Sequence, residues 1–118
     1  MTASLVSLYV TCASHAEAEA IARHLVEQHL AACANILGGV TAVYRWQGAV
    51  ETGEETALIL KTRADLADEA SAAIHRLHSY DVPCIVAWPI IGGDADYLAW
   101  VARETGAAAA PNAGVAAC

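Results

Sequence analysis

The hydrophobic period along this chain alternates between two residues and about 3.6, and the order of that alternation restricts the fold more than any other feature. Leu5 to Thr11 sets Val6, Leu8 and Val10 against Ser7, Tyr9 and Thr11, the two-residue period of a strand. From Ala16 to Ala32, the residues Ala18, Ile21, Ala22, Leu25, Val26 and Leu30 recur at spacings of three and four with charged residues between them, which predicts an amphipathic helix. Alternation returns over Asn35 to Trp46. A Gly-containing turn in Gln47 to Gly53 then reverses the chain into Glu55 to Thr62, and the two segments are expected to form a long antiparallel hairpin. Asp65 stands where it would cap a second helix, with Asp68 and Glu69 in the first turn, where the helix dipole favours acid. The stripe of that helix is Leu66, Ala70, Ala73, Ile74 and Leu77. Val82 to Ile90 is nearly continuously apolar, as in a strand covered on both faces, and Pro89 marks an edge or a break in its pairing. Gly92-Gly93 leads into a short helix from Asp94 to about Glu104, with Tyr97, Leu98 and Val101 apolar.

The resulting order is strand, helix, strand, strand, helix, strand and a terminal helix. A split βαβ repeat of this kind packs both crossover helices on one face of a four-stranded sheet, giving an α+β, ferredoxin-like domain. Residues 1–105 are expected to form this single domain, and 106–118, Ala-rich and without charge, a flexible tail. No helix is left to cover the other face of the sheet, so it and the exposed strand edges call for a partner. Composition supports this. Of 118 residues 57% are apolar, but 28 are alanine, and only 16% are charged, which is little polar surface for a lone small globule. The larger apolar side chains concentrate in the hairpin and the fourth strand, where subunits would meet.

Charge excludes other partners. Six basic residues against thirteen acidic ones leave a net charge of −7, which repels nucleic-acid phosphates and anionic lipid surfaces. The longest apolar runs fall far short of the roughly 20 residues that span a bilayer. Thr2 to Thr11 contains no Lys or Arg, so no signal segment is expected there and a cytoplasmic location is expected. Cys12, Cys33, Cys84 and Cys118 form no Cys-x-x-Cys pair and are expected to stay thiols in a reducing compartment.

Two groups of residues carry candidate chemistry. Cys12 follows the first strand, and His75 and His78 sit three apart on the last turn of the second helix; thiolate and imidazole together suit copper and zinc. Cys33, in the run Ala31-Ala32-Cys33-Ala34, reads as a small core hydrophobe. The second group is polar and aromatic, with Tyr44, Trp46, Glu55, Lys61, Tyr80, Asp94, Tyr97 and Trp100. Lys61, the only lysine, stands in an apolar strand, either paired with a nearby carboxylate or contacting an anion in a cleft between subunits. Gly92-Gly93 before a helix could hold a small anion. No Walker loop, dinucleotide-binding glycine motif, nucleophile elbow or His-Glu-x-x-His helix is present, and no enzyme activity is expected.

Taken together, Thr11-Cys12, Leu30-Ala31-Ala32-Cys33-Ala34-Asn35-Ile36, Tyr44-Arg45-Trp46-Gln47-Gly48, Lys61-Thr62, His78-Ser79-Tyr80-Asp81-Val82-Pro83 and Asp96-Tyr97-Leu98-Ala99-Trp100 resemble the CutA divalent-cation tolerance family, from about Leu5 to Glu104. The resemblance implies a ferredoxin-like subunit in a tight, PII-like homotrimer knitted together by long hairpins. It also implies a cytoplasmic role in divalent-metal tolerance, with copper or another divalent cation bound and no organic cofactor. Carried over residue by residue, the metal site reaches Cys12 and His78. His75 or Cys84 is the candidate third ligand, Cys84 standing where a family carboxylate is common, and Leu77 replaces the first of a paired His-His. The alternative is a PII-like regulatory module whose cleft binds a small anion or an unidentified protein partner through Lys61, Trp46, Tyr80, Tyr97, Asp94 and the Gly92-Gly93 turn.

Overall fold

The computed structural model describes residues 4–106 and residue 118. The strands are β1 (Leu5–Cys12), β2 (Cys33–Trp46), β3 (Ala49–Arg63) and β4 (Ile85–Ile90); the helices are α1 (His15–Glu27), α2 (Ala67–Leu77) and α3 (Ala95–Arg103). Spatial order in the sheet is β2-β3-β1-β4, and every neighbouring pair is antiparallel. Each crossover helix therefore skips one strand, so that β3 is inserted between β1 and β2, and β1 between β3 and β4. This is the ferredoxin-like arrangement that the pattern order predicts. Of the tail expected over 106–118, only Gly106 and Cys118 fall within the described residues.

The period-two pattern sets the sheet's register. Val6, Leu8 and Val10 of β1 pair with Thr62, Leu60 and Leu58 of β3, so one face of both central strands turns toward the crossover helices. Leu8, Val10 and Cys12 pack there with Ile21 and Leu25 of α1, Leu58 and Leu60 of β3, and Ile74 of α2. Burying each large side chain contributes about 1.5–3 kcal/mol, and these residues form the main core. Ser14 starts α1 by accepting the Glu17 N–H at its Oγ, 3.1 Å away.

Several expectations are corrected. The opposite face of the sheet is not bare, because α3 folds back over one end of it: Val101 packs with Leu5 and Ala32, flanked by Ile90, Tyr97, Leu98 and Trp100. β3 begins at Ala49, since Gln47 (φ 49°) and Gly48 (φ 85°) form a two-residue turn with both φ positive, whose twist matches the strands it joins. β4 is shorter than the apolar run and is an edge strand whose residues are half-buried or exposed, not covered on both faces. Asp65 does not cap α2; it makes a two-pronged ion pair with Arg63, and the chain enters the helix through a single 3-10 turn, Ala64–Leu66, with no side-chain cap. Asp94 does cap α3, its Oδ2 accepting the Tyr97 N–H at 2.9 Å.

Beyond an irregularity between Ile36 and Gly39, β2 and β3 continue as a two-stranded arm. Val43 is 69% exposed and Val50 65%, and Val82 and Ile91 near β4 are exposed as well.

Candidate metal centre

Three elements end at one junction. β1 delivers Cys12, the first turn of α1 delivers Glu17, and His78 is the residue that ends α2. Their ligating atoms all lie within 4.8 Å of one another. Cys12 is wholly buried and the His78 side chain is sealed from solvent, while the Glu17 side chain is 16% exposed. Soft sulfur, imidazole nitrogen and a carboxylate oxygen thus converge just beneath the surface.

Hydrogen bonds fix each group. His78 Nδ1 accepts the Tyr80 N–H at 3.1 Å, so the ring proton is on Nε2, which donates to the Thr11 carbonyl at 2.8 Å. Glu17 Oε1 approaches the same Nδ1 to 3.7 Å. Glu17 Oε1 accepts the Ala13 N–H at 3.0 Å and Oε2 the Ser79 N–H at 3.1 Å. Burial alone would raise the Glu17 pKa, but hydrogen bonding from Ser79, the Ala13 N–H and the neighbouring His78 together outweigh it and hold the carboxyl below its ordinary value. Burial, reinforced by the negative charges of Glu17 and Glu55, pushes the Cys12 thiol up to about 11. The junction thus sets a protonated thiol and an ionised carboxylate beside the His78 ring.

The expected pair Cys12 and His78 is therefore brought together, but neither proposed third ligand joins it. His75 Nε2 lies 3.1 Å from the Asp81 carbonyl, and Cys84 is an exposed thiol lining the cleft described below, not one of the three converging groups. The two histidines part company because the backbone turns extended at His78, so they do not face a common point. The third group that converges with them is Glu17. Its signal was the Ser14-x-x-Glu17 spacing of a capping box, in which the glutamate reaches back toward the backbone before the helix.

The polar and aromatic group divides in two. Tyr44, Trp46, Glu51, Glu55, Tyr80 and Cys84 line a cleft of about 790 Å³ between the hairpin arm and the loop before β4. Burial, then the hydrogen bond and charge of Glu55, push the Tyr80 hydroxyl up to about 12. Lys61 and Tyr97 do not line this cleft. Among the described residues Lys61 pairs with no carboxylate; its Nζ donates to Asn35 Oδ1 at 3.0 Å and sits 5.5 Å from the centre of the Tyr97 ring. At the Gly92-Gly93 turn, the Asp94 carboxylate already occupies the N-terminus of α3, where an incoming anion would be repelled. One anion site built from Lys61, Tyr80 and that turn is not what the fold assembles. Among the described residues no helix is long and apolar enough to cross a membrane.

Cys33 is buried as expected but is not a free thiol: it is disulfide-bonded to Cys118, 85 residues away in sequence.

Comparison with known proteins agrees with this architecture. The family model described as CutA1 divalent ion tolerance protein matches residues 6–104. The "Divalent-cation tolerance protein CutA" of Thermus thermophilus is 43% identical over 97 residues, covering 82% of this chain and 94% of that protein. A solved structure titled as the Cut A1 divalent cation tolerance protein of the same organism superposes with a TM-score of 0.84 at 41% identity, covering 86% of this chain and 99% of the other. "Protein CutA, chloroplastic" of Arabidopsis thaliana is 38% identical over 104 residues, 88% of this chain but only 57% of that protein's length.

Proposed function

The chain belongs to the CutA1 divalent ion tolerance protein family, and from that premise we propose that it acts in divalent-metal tolerance by binding copper or another divalent cation through Cys12, Glu17 and His78. The convergence of their ligating atoms within 4.8 Å carries this reading. A thiolate and an imidazole select copper or zinc over hard cations such as magnesium or calcium, and the carboxylate adds compensating charge. The donor set fits such an ion. Binding has two local costs: Cys12 must lose a proton it holds tightly, and His78 must release one of its two ring hydrogen bonds. Glu17 is already ionised and needs no such change.

The protein itself positions the donors, shields them from water and takes up or releases the Cys12 proton; a bound ion would supply charge and Lewis acidity. The reading is of a binding protein rather than an enzyme, acting in the cytoplasm. Assembly as a PII-like homotrimer is part of the same proposal, supported by the unpartnered arm and by exposed Val43, Val50, Val82 and Ile91. The regulatory-module alternative is not favoured, since Lys61 and Tyr97 lie off the cleft that holds Trp46 and Tyr80.

Calorimetric titration with Cu(II) and Zn(II) tests the site, alongside light scattering to count subunits. Cys12→Ser, Glu17→Gln and His78→Ala are each expected to weaken binding by about tenfold or more while leaving the particle at three chains. Unchanged affinity in all three variants would remove the site assignment, and a single-chain particle would remove the trimer.

A further inference from the structure

The disulfide between Cys33 and Cys118 joins the first residue of β2 to a residue outside the part of the chain that the family model matches. Its surroundings are polar at both sulfurs. Tyr97 O–H lies 3.2 Å from Cys33 Sγ and, since the bonded sulfur carries no hydrogen, the tyrosine is the donor. Asn35 Nδ2–H reaches Cys118 Sγ at 3.7 Å, while the other end of that amide accepts from Lys61 Nζ at 3.0 Å. Lys61 is also the residue directly opposite Cys33 across the β2–β3 ladder. The chain's only lysine therefore stands over the tyrosine that serves one sulfur and polarises the amide that serves the other.

We propose that Cys33 and Cys118 form a reversible thiol–disulfide pair, with Lys61, Asn35 and Tyr97 stabilising whichever sulfur becomes the thiolate. Donors and positive charge lower the energy of a thiolate, both as nucleophile and as leaving group, and so speed exchange in either direction. Accessibility sets the order of events, because Cys118 is exposed and Cys33 is buried. With a low-molecular-weight disulfide as oxidant, the Cys118 thiolate attacks one of its sulfurs, breaking that S–S bond and releasing one small thiolate. The Cys33 thiolate then attacks the Cys118 sulfur, forming the internal disulfide and releasing the second small thiolate. Two electrons pass from the protein to the reagent, and the two protons given up by the cysteines go to the released thiolates. An excess of small thiol runs the same steps backwards. This pair shares no residue with the Cys12, Glu17 and His78 group, so it stands or falls independently of the metal reading.

The test is to reduce the whole protein, expose it to oxidised glutathione, and follow free thiols under denaturing conditions together with peptide mass mapping. Free thiols are expected to fall from four per chain to two, with one Cys33–Cys118 linked peptide and a monomer on a non-reducing denaturing gel. Cys118→Ser should abolish the loss. Lys61→Met should slow closure about tenfold and Lys61→Arg restore much of the rate. Four persistent thiols, a Cys118 link to Cys84 or to another chain, or equal rates in wild type and Lys61→Met would each overturn the proposal.

Discussion

Replacing Glu17 by Gln isolates one negative charge that holds two loops. The carboxylate takes the Ala13 N–H, beside its own helix, and the Ser79 N–H, which belongs to the loop after α2. A buried hydrogen bond to a charged group is worth about 1.5–3 kcal/mol. Here Ala13 and Ser79 are exposed residues, so water takes over part of each bond once it is broken. Glutamine keeps one acceptor oxygen but turns an N–H toward the second donor. The expected net loss at neutral pH is about 1–2 kcal/mol, or a fall of several degrees in melting temperature for a domain of this size. The loss is also pH-dependent with a defined sign. The folded-state pKa of Glu17 lies below its ordinary value of 4.5, so its contribution is fully present above pH 4.5 and disappears as pH falls through the lower folded value. Urea unfolding of wild type and Glu17→Gln at one protein concentration, from pH 7 into acid, should show two midpoints that converge. Amide hydrogen exchange should show faster exchange at Ser79 and Ala13 in the variant. Equal midpoints at neutral pH, or a gap that persists undiminished in acid, would refute the assignment of Glu17 as the clamp between the loops.

Two further predictions follow from buried groups. Because the Cys12 thiol is raised from an ordinary 9.0 to about 11, its contribution to stability is complete below pH 9 and is lost as pH rises through 11; Cys12→Ala should remove that alkaline component from the pH–stability profile. Thr62 is fully buried on the helix-facing side of β3, and its hydroxyl has no hydrogen-bond partner among the described residues. Thr62→Val, which keeps the shape and removes the orphaned group, is expected to leave thermal stability unchanged or raise it by about 1 kcal/mol; a clear loss in a melting experiment would mean that the hydroxyl has a partner.

What could be read from the sequence, and what could not, follows from how local each cause is. β1 and α2 were legible because half their residues face the core and half do not, so burial imprints a period. The start of β3 was not, because Ala49 to Gly53 lie on an arm with no core face to impose alternation. Asp65 illustrates competition: a cap and an Arg63 ion pair were both open to it, and the nearer guanidinium won. The stripe Tyr97, Leu98 and Val101 announced that α3 packs, but a stripe does not say against which face of a sheet. At the candidate site, the Cys12 and His78 pairing came through family resemblance, since residues so far apart in sequence carry no local sign of meeting. Glu17 carries a local sign in the Ser14-x-x-Glu17 spacing, but that spacing does not say that a thiol and an imidazole lie beside the carboxylate. The Cys33–Cys118 link had none, for connectivity among four cysteines is not written in their spacing.

The strand order also bears on how the chain is made. β1 is the earliest strand to be synthesised, yet it lies inside the sheet, and both its neighbours, β3 and β4, come later. At the usual pace of translation it waits on the order of several seconds for β3 to emerge. During that interval Leu8 and Val10 have only α1 to shelter them, and the unpaired edges of β1 can meet another nascent chain. The sheet can then close only in the reverse direction, with later segments laid down on either side of the first.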